Sequence, residues 1–126
     1  MIQKQIKVNI QEKEYTINFP TTGQLIDIET MKVSISKGMY SGLVATMSKS
    51  SLLSLDLIDS ISTFIILIPD IKDEMKFDNI LDISPIDAQE LVVIYKKVYF
   101  PWFAEWLKVM KKKEEELNKL YSKEDE

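Results

Sequence analysis

The beginning of the chain alternates apolar and polar side chains in two short runs that end at Pro20. The apolar members of these runs are Ile6, Val8, Ile10, Tyr15, Ile17 and Phe19. An alternation of period two places the apolar side chains on one face of a strand. The pattern therefore predicts a β-hairpin over residues 1–20, and the turn type stays open because no Asn-Gly or Gly-Gly pair joins the strands.

A two-stranded hairpin is only marginally stable in water by itself. Its apolar face must therefore pack on helices, or its free edge must pair with another chain. The sequence leaves both alternatives open, and the second one would give the hairpin a role in binding.

After Pro20 the spacing of apolar residues lengthens to that of helices, which we expect over residues 21–113. Thr21 and Gln24 are spaced as a capping box, and Ser48 and the pair Ser84-Pro85 are further helix-start signals. Gly38 is a typical helix stop. These signals predict a bundle of about four to five helices.

Two apolar segments, Leu55–Ile68 and Leu91–Val98, are expected to form the centre of the core. The first lies in the longest apolar stretch of the chain, but Asp56 and Asp59 within it make a membrane span improbable. Pro101 is expected to kink or restart the last helix, since it lacks a backbone donor.

The expected fold class is thus α+β and mainly α, with an N-terminal hairpin packed on helices and a long C-terminal helix. Residues 1–113 would form a single globular domain and residues 114–126 a charged helical tail.

The composition narrows the possible chemistry, because the 126 residues include no His, no Cys and no Arg. The chain therefore has no imidazole for acid–base catalysis, no thiolate and no guanidinium fork. The acidic residues after Pro69 lack the spacing of a calcium loop and are typical of a solvated connection. We expect no catalytic residues, no metal site and no cofactor.

The same features bear on partners and location. A net charge of −4 argues against broad nucleic-acid binding, and the short basic block of Lys108 and Lys111–Lys113 is followed directly by Glu114–Glu116. The absence of cysteine and of a secretory signal indicates the cytoplasm. We expect neither a membrane nor a small-molecule substrate as partner.

For one cluster the sequence supports a role in the core and a role in binding equally. Its members are Tyr99, Trp102, Phe103, Trp106 and Met110. Aromatic residues fill cores, yet they also dominate the energetics of protein interfaces. If the cluster is an interface for a partner or a second copy of the chain, Trp106→Ala should weaken association without lowering the melting temperature.

The hairpin sequence K-V-N-I-Q-E-K-E-Y-T-I-N-F-P, the helix entry L-D-I-S-P-I-D-A-Q-E-L-V-V-I-Y and the charged tail resemble small proteins of tailed bacteriophages. Tail-assembly chaperones and minor capsid or tail components are the nearest groups. The resemblance implies a non-catalytic protein that holds phage structural proteins or copies of itself, in the host cytoplasm during assembly or in the virion. The alternative is a small regulatory adaptor or inhibitor of a host or phage enzyme.

Overall fold

An antiparallel hairpin precedes a set of helices in the computed structural model, which describes residues 2–76 and 79–124. The elements are β1 (Gln5–Ile10), β2 (Lys13–Asn18), α1 (Thr22–Ile35), α2 (Tyr40–Thr46), α3 (Lys49–Leu67), the one-turn α4 (Ile71–Glu74), a 3₁₀ turn (Ile80–Asp82), α5 (Pro85–Ile94), a π-helical turn (Tyr95–Tyr99) and α6 (Phe100–Glu124). The predicted mainly-α α+β class, with its hairpin and long last helix, is confirmed. Phe77 and Asp78 of the expected acidic connection and residues 125–126 of the expected tail lie outside the described residues.

The hairpin has a two-residue turn whose conformation the sequence does not announce. β1 and β2 pair with Val8 opposite Tyr15, and the turn residues Gln11 and Glu12 have φ angles of 53° and 65°. Two positive φ angles are what a type I′ turn requires, normally with Asn or Gly. The Gln11 backbone N–H donates to the Glu90 carboxylate of α5 at 2.6 Å, which holds the turn in place.

The apolar face of the hairpin packs on the helices, which is one of the two alternatives that the alternation left open. Val8, Ile10 and Ile17 are buried and belong to the main core cluster. Phe64 of α3 and Leu91 of α5 lie in the same cluster. The apolar faces of the strands and of the helices therefore meet in one core.

Helix α3 is the central element, because α1, α2 and α5 all pack against it. Among the described residues it is the one helix whose length and composition would also suit a membrane span, and 44% of that stretch is buried in the fold. Its Asp56 lies 2.6 Å from Lys96, and its Asp59 lies 3.7 Å from Lys32. A helix that packs on three neighbours and pairs its charges is typical of a protein core.

Local signals set the helix ends as predicted. In the Thr21 capping box, the Gln24 N–H donates to the Thr21 hydroxyl at 3.2 Å and the Thr21 N–H donates to the Gln24 side chain at 3.0 Å. The hydroxyls of Ser48 and Ser84 cap α3 and α5. Gly38, with φ of 80°, donates its N–H to an α1 carbonyl and ends that segment.

The response to Pro101 differs in detail from the expected kink or restart. The helix runs on without a gap, and the turn just before the proline is widened to a π-helix in which the Phe100 N–H donates to the Tyr95 carbonyl. Pro101 cannot donate to the Lys97 carbonyl four residues earlier, and its ring would meet that carbonyl in a regular helix. A wider turn relieves that conflict without breaking the helix.

Glu12→Gly should raise the free energy of unfolding by about 0.5–1 kcal/mol, since glycine adopts positive φ without the steric cost that glutamate has there. Urea denaturation monitored by circular dichroism measures the change. Thr16→Gly, in the middle of β2, is the matched control and should destabilise the protein instead. A loss of stability in the Glu12→Gly variant would contradict the assigned turn strain.

Candidate protein interface

A cluster of aromatic rings joins the hairpin and α3 to the beginning of α6. Its members are Phe19, Phe64, Tyr95, Tyr99, Phe100, Trp102, Phe103 and Trp106. Tyr99 is at its centre, with ring centroids 6.0 Å from Phe64 and 5.6 Å from Phe103. These separations lie in the favourable range for aromatic pairs, so the cluster fixes the start of α6 on the body.

Phe19, the last apolar residue of the hairpin pattern, lies among the rings of α6. Its centroid is 5.7 Å from the rings of both Trp102 and Phe103. The Trp106 ring is nearer, at 5.0 Å. Phe19 thus packs the end of the hairpin on the first turns of α6, where it touches three rings.

The backbone carbonyl of Gln3 adds a polar connection at the same place. The Trp102 indole N–H donates to it at 2.6 Å and the Trp106 indole N–H at 3.2 Å. One carbonyl oxygen has two lone pairs and can accept both bonds. The chain segment before β1 is therefore held across α6 by both tryptophans of the protein.

The five residues singled out from the sequence do not share one environment. Tyr99 and Trp102 are buried, with 3% and 9% of their surfaces exposed. Phe103 and Trp106 are half-buried against the core, and Met110 is exposed. The structure therefore places Trp102, Phe103 and Trp106 around Phe19 and Tyr99 against Trp102 and Phe103, whereas Met110 lies beyond the body.

From Leu107 to Ser122 every residue of α6 is exposed. We call its apolar line the distal stripe, which consists of Met110, Leu117, Leu120 and Tyr121, with 41%, 44%, 55% and 61% of their surfaces exposed. At 3.6 residues per turn these side chains continue the face that Phe103 and Trp106 bury at the start of the helix. The face of α6 that is buried at the start of the helix thus continues as exposed surface for about 24 Å beyond the body.

Sequence reasoning did not place Leu117, Leu120 and Tyr121 among the interface candidates. A signal was present, because apolar residues recur at alternating steps of three and four from Phe103 to Leu120. Such spacing is typical of a helix that pairs with another helix. Lys113 interrupts it, which hides the regularity.

Helices α1, α2 and α3 are connected by a second, polar cluster. The Tyr40 hydroxyl donates to Asp59 at 2.6 Å. Lys32, whose side chain is only 12% exposed, lies 3.0 Å from Glu29 and 3.7 Å from Asp59. Because Asp59 already binds a hydroxyl and a lysine, this cluster has the character of a structural network between helices.

Burial affects the tyrosines near that network. It is the main cause that raises the pKa of Tyr95 to about 12, and the negative charges of Asp59, Glu29 and Asp56 add to it. Burial also raises the pKa of Tyr99, and for Tyr40 burial acts together with the hydrogen bond to Asp59. These phenols therefore stay neutral in the folded protein well above their usual range.

Two of the grooves on the described surface border the hairpin or the central helix. One, of about 1080 Å³, is lined by residues 2–7, Asn18, Phe19 and Trp106, and its charged residues are Lys4 and Lys7. The other, of about 280 Å³, lies between α1, α3 and the start of α5 and is apolar except for Ser54. Within residues 2–76 and 79–124, no group of three carboxylates is placed to hold a metal ion.

The free energy of unfolding should fall as the pH rises from about 10 to 12. The unfolded phenols lose their protons near pH 10, whereas Tyr95 keeps its proton to about 12 in the folded state. The unfolded state then binds fewer protons, so stability decreases with pH. Urea titrations at intervals across this range should show a shallower decrease for Tyr95→Phe than for the wild type, with Tyr121→Phe as the matched loss of an exposed hydroxyl.

Trp106→Ala should lower the free energy of unfolding by about 1–3 kcal/mol. This is less than the loss of a fully buried tryptophan, because the ring is half-buried. Thermal and urea denaturation measure it. Weaker partner binding by Trp106→Ala would then have two causes, a lost contact and a less stable fold. Met110→Ala changes an exposed residue, so it tests binding without that loss of stability. An unchanged melting temperature for Trp106→Ala would contradict the packing on Phe19.

Comparisons of the chain with protein-family models, with curated protein sequences and with solved structures give no match. Function must therefore be inferred from the surfaces of this chain itself. The distal stripe is the surface on which an extended apolar face lies next to a charged one.

Proposed function

We propose that this protein is a non-catalytic assembly protein that binds another polypeptide chain along the distal stripe of α6. The proposal rests on one observation: the face of α6 that packs on the body at Phe103 and Trp106 continues as exposed apolar surface to Tyr121. A stripe of this kind suits the groove of a second helix, because helices pair through residues at steps of three and four.

The charges of α6 favour a protein partner over a nucleic acid or a lipid surface. Lys111–Lys113 are followed directly by Glu114–Glu116, and residues 107–126 contain six lysines and six acidic residues, so neither sign dominates this part of the chain. Binding to phosphates or anionic lipids would gain from a surplus of positive charge. Mixed charge beside an apolar seam is characteristic of helix pairs.

The chemistry of the body supports a binding role over a catalytic one. The chain has no His and no Cys, and the two carboxylates of the central helix, Asp56 and Asp59, are both paired with lysines. Carboxylates that are paired in this way between helices have the character of structural contacts.

The resemblance to small bacteriophage proteins suggests the setting of this binding. We propose a role in virion or tail assembly, with a structural protein as partner and the host cytoplasm as the place of assembly. A hairpin packed firmly on helices and a helix with an exposed apolar face suit a protein that binds other proteins. An enzyme recovered as partner would instead favour a regulatory adaptor.

Leu117→Ala together with Leu120→Ala should reduce recovery of the partner by roughly tenfold, because two central apolar side chains leave the interface. Tagged protein is incubated with an extract of the native source, and bound chains are identified and quantified by mass spectrometry. The melting temperature should not change, since both leucines are exposed and alanine favours helix.

The matched control is Glu115→Ala together with Lys119→Ala, which alters the opposite face of the same helical turns. It should leave partner recovery unchanged. Equal recovery by the two double variants would show that the distal stripe is not the interface.

A further inference from the structure

The outer edge of β1 has backbone groups that the hairpin does not use. The Phe19 N–H donates to the Lys4 carbonyl at 3.0 Å, so these two residues form a hydrogen-bonded pair. Hydrogen-bonded and non-hydrogen-bonded pairs alternate along two antiparallel strands. In the register of β1 and β2, the N–H and C=O groups of Gln5 and Lys7 therefore point away from β2.

The beginning of the same edge is already covered by α6. Gln3 precedes Gln5 in this alternation, and its carbonyl accepts the indole N–H groups of Trp102 and Trp106. Beyond Gln3 the cover ends. Within residues 2–76 and 79–124, no hydrogen bond reaches the outward backbone groups of Gln5 and Lys7. An edge with such groups is a template for one more strand.

The larger groove of the described surface lies at this open edge. It is lined by residues 2–7, which include the first part of β1, and by Trp106 of α6. Its volume of about 1080 Å³ is at the upper end of the range of ligand sites, about 300–1,000 Å³. The groove is therefore large enough for a segment of polypeptide, and the strand edge favours an extended one.

We propose that this groove binds an extended segment of another protein, which joins the hairpin as a third strand at the outer edge of β1. The backbone of the segment would bond to Gln5 and Lys7, as in other complexes in which a peptide extends a sheet. The groove is separate from the distal stripe, so this second binding site goes beyond the proposed function and does not depend on it.

The alternation of side chains specifies where the segment is apolar. Ile6 is half-buried against the core, between the exposed Gln5 and Lys7. A residue of the added strand opposite Ile6 has its side chain on the same face of the sheet. Ile6 and Trp106 both line the groove, so an apolar side chain at that position gains contact with both.

The charges of the groove specify where the segment is acidic. Its charged lining residues are Lys4 and Lys7, in a chain whose net charge is −4. Lys7 also lies 3.6 Å from Glu14, but 70% and 59% of these side chains are exposed. A surface pair of this kind is weak. Lys7 can therefore attract a carboxylate across the new strand pair, and the segment alternates acidic and apolar residues.

The same edge of a second copy is a poorer occupant. Residues 2–10 contain Lys4 and Lys7 and no acidic residue. Pairing of two β1 edges would thus bring four lysines together with no carboxylate from either strand. Like charges across neighbouring strands destabilise their pairing, so the charge of the groove favours a different, acidic chain.

A synthetic peptide tests the chemistry of the segment. Acetyl-Thr-Glu-Val-Glu-Val-Glu-Thr-amide has the same residue order in both directions, so it fits either strand direction. Isothermal titration calorimetry should show that it binds roughly tenfold or more tightly than the peptide with lysine in place of glutamate. Equal affinities, or no binding of the glutamate peptide at about 1 mM, would overturn the proposal.

Proline substitutions test the strand edge. Lys7→Pro removes an N–H that points away from β2, so the hairpin keeps its own bonds while the peptide loses one. Peptide binding should weaken roughly tenfold or more, against roughly threefold for Lys7→Ala, which removes the charge alone. Thr16→Pro is the matched control, because its N–H points outward on the other edge of the hairpin. Equal peptide binding by the two proline variants contradicts pairing at β1.

Amide hydrogen exchange of the unaltered protein gives a test that needs no variant. Saturation with the glutamate peptide should slow exchange of the Gln5 and Lys7 amides roughly tenfold or more, as measured by nuclear magnetic resonance. The outward amides of Glu14 and Thr16 on the other edge should exchange as before. Protection of Glu14 and Thr16, with unchanged exchange at Gln5 and Lys7, would exclude the outer edge of β1 as the site.

The leucine variants of the distal stripe separate this site from the proposed function. Leu117→Ala together with Leu120→Ala should bind the glutamate peptide as the wild type does, because neither leucine lines the groove. Loss of peptide binding in this double variant would place the peptide on the distal stripe and overturn the groove. Loss of the native partner alone would leave the peptide site intact.

Discussion

The rest of the architecture depends on one set of contacts at the first turns of α6, which we call the aromatic clamp. Phe19 packs on three rings of this helix, and the Gln3 carbonyl accepts a hydrogen bond from each of the indoles of Trp102 and Trp106. These contacts join the two ends of the chain, so the hairpin and the last helix become parts of one core. They also fix the direction in which the exposed part of α6 leaves the body.

The π turn before Pro101 keeps the helix continuous into the aromatic clamp. A regular helix through the proline would set its ring against the Lys97 carbonyl, whereas the widened turn removes that clash and keeps the helix continuous. The five-residue turn also rotates the faces of α6 relative to those of α5. Tyr99 and Trp102 are both buried in the one aromatic cluster.

Features that depend on neighbouring residues were predictable from the sequence, and features that depend on distant ones were not. The helix starts at Thr21, Ser48 and Ser84 are local hydrogen-bonding patterns, and each is found where the sequence places it. The hairpin turn at Gln11 has no local signal, because its support comes from Glu90, far along the chain. The role of the Gln3 carbonyl was equally inaccessible, since a backbone acceptor has no residue signature.

The exposed part of α6 has few tertiary contacts of its own, yet it is helical through to the end of the described chain. An isolated helix of this length is marginal in water because its first turn is costly to form. Here the aromatic clamp has already fixed that turn, so each further residue adds only the smaller cost of propagation. The lysines, glutamates and leucines of the exposed part are good helix formers, and Glu115 stands four residues before Lys119 in the favourable order. The distal stripe is therefore already ordered before a partner binds. This lowers the conformational entropy that is lost when a second helix packs on it.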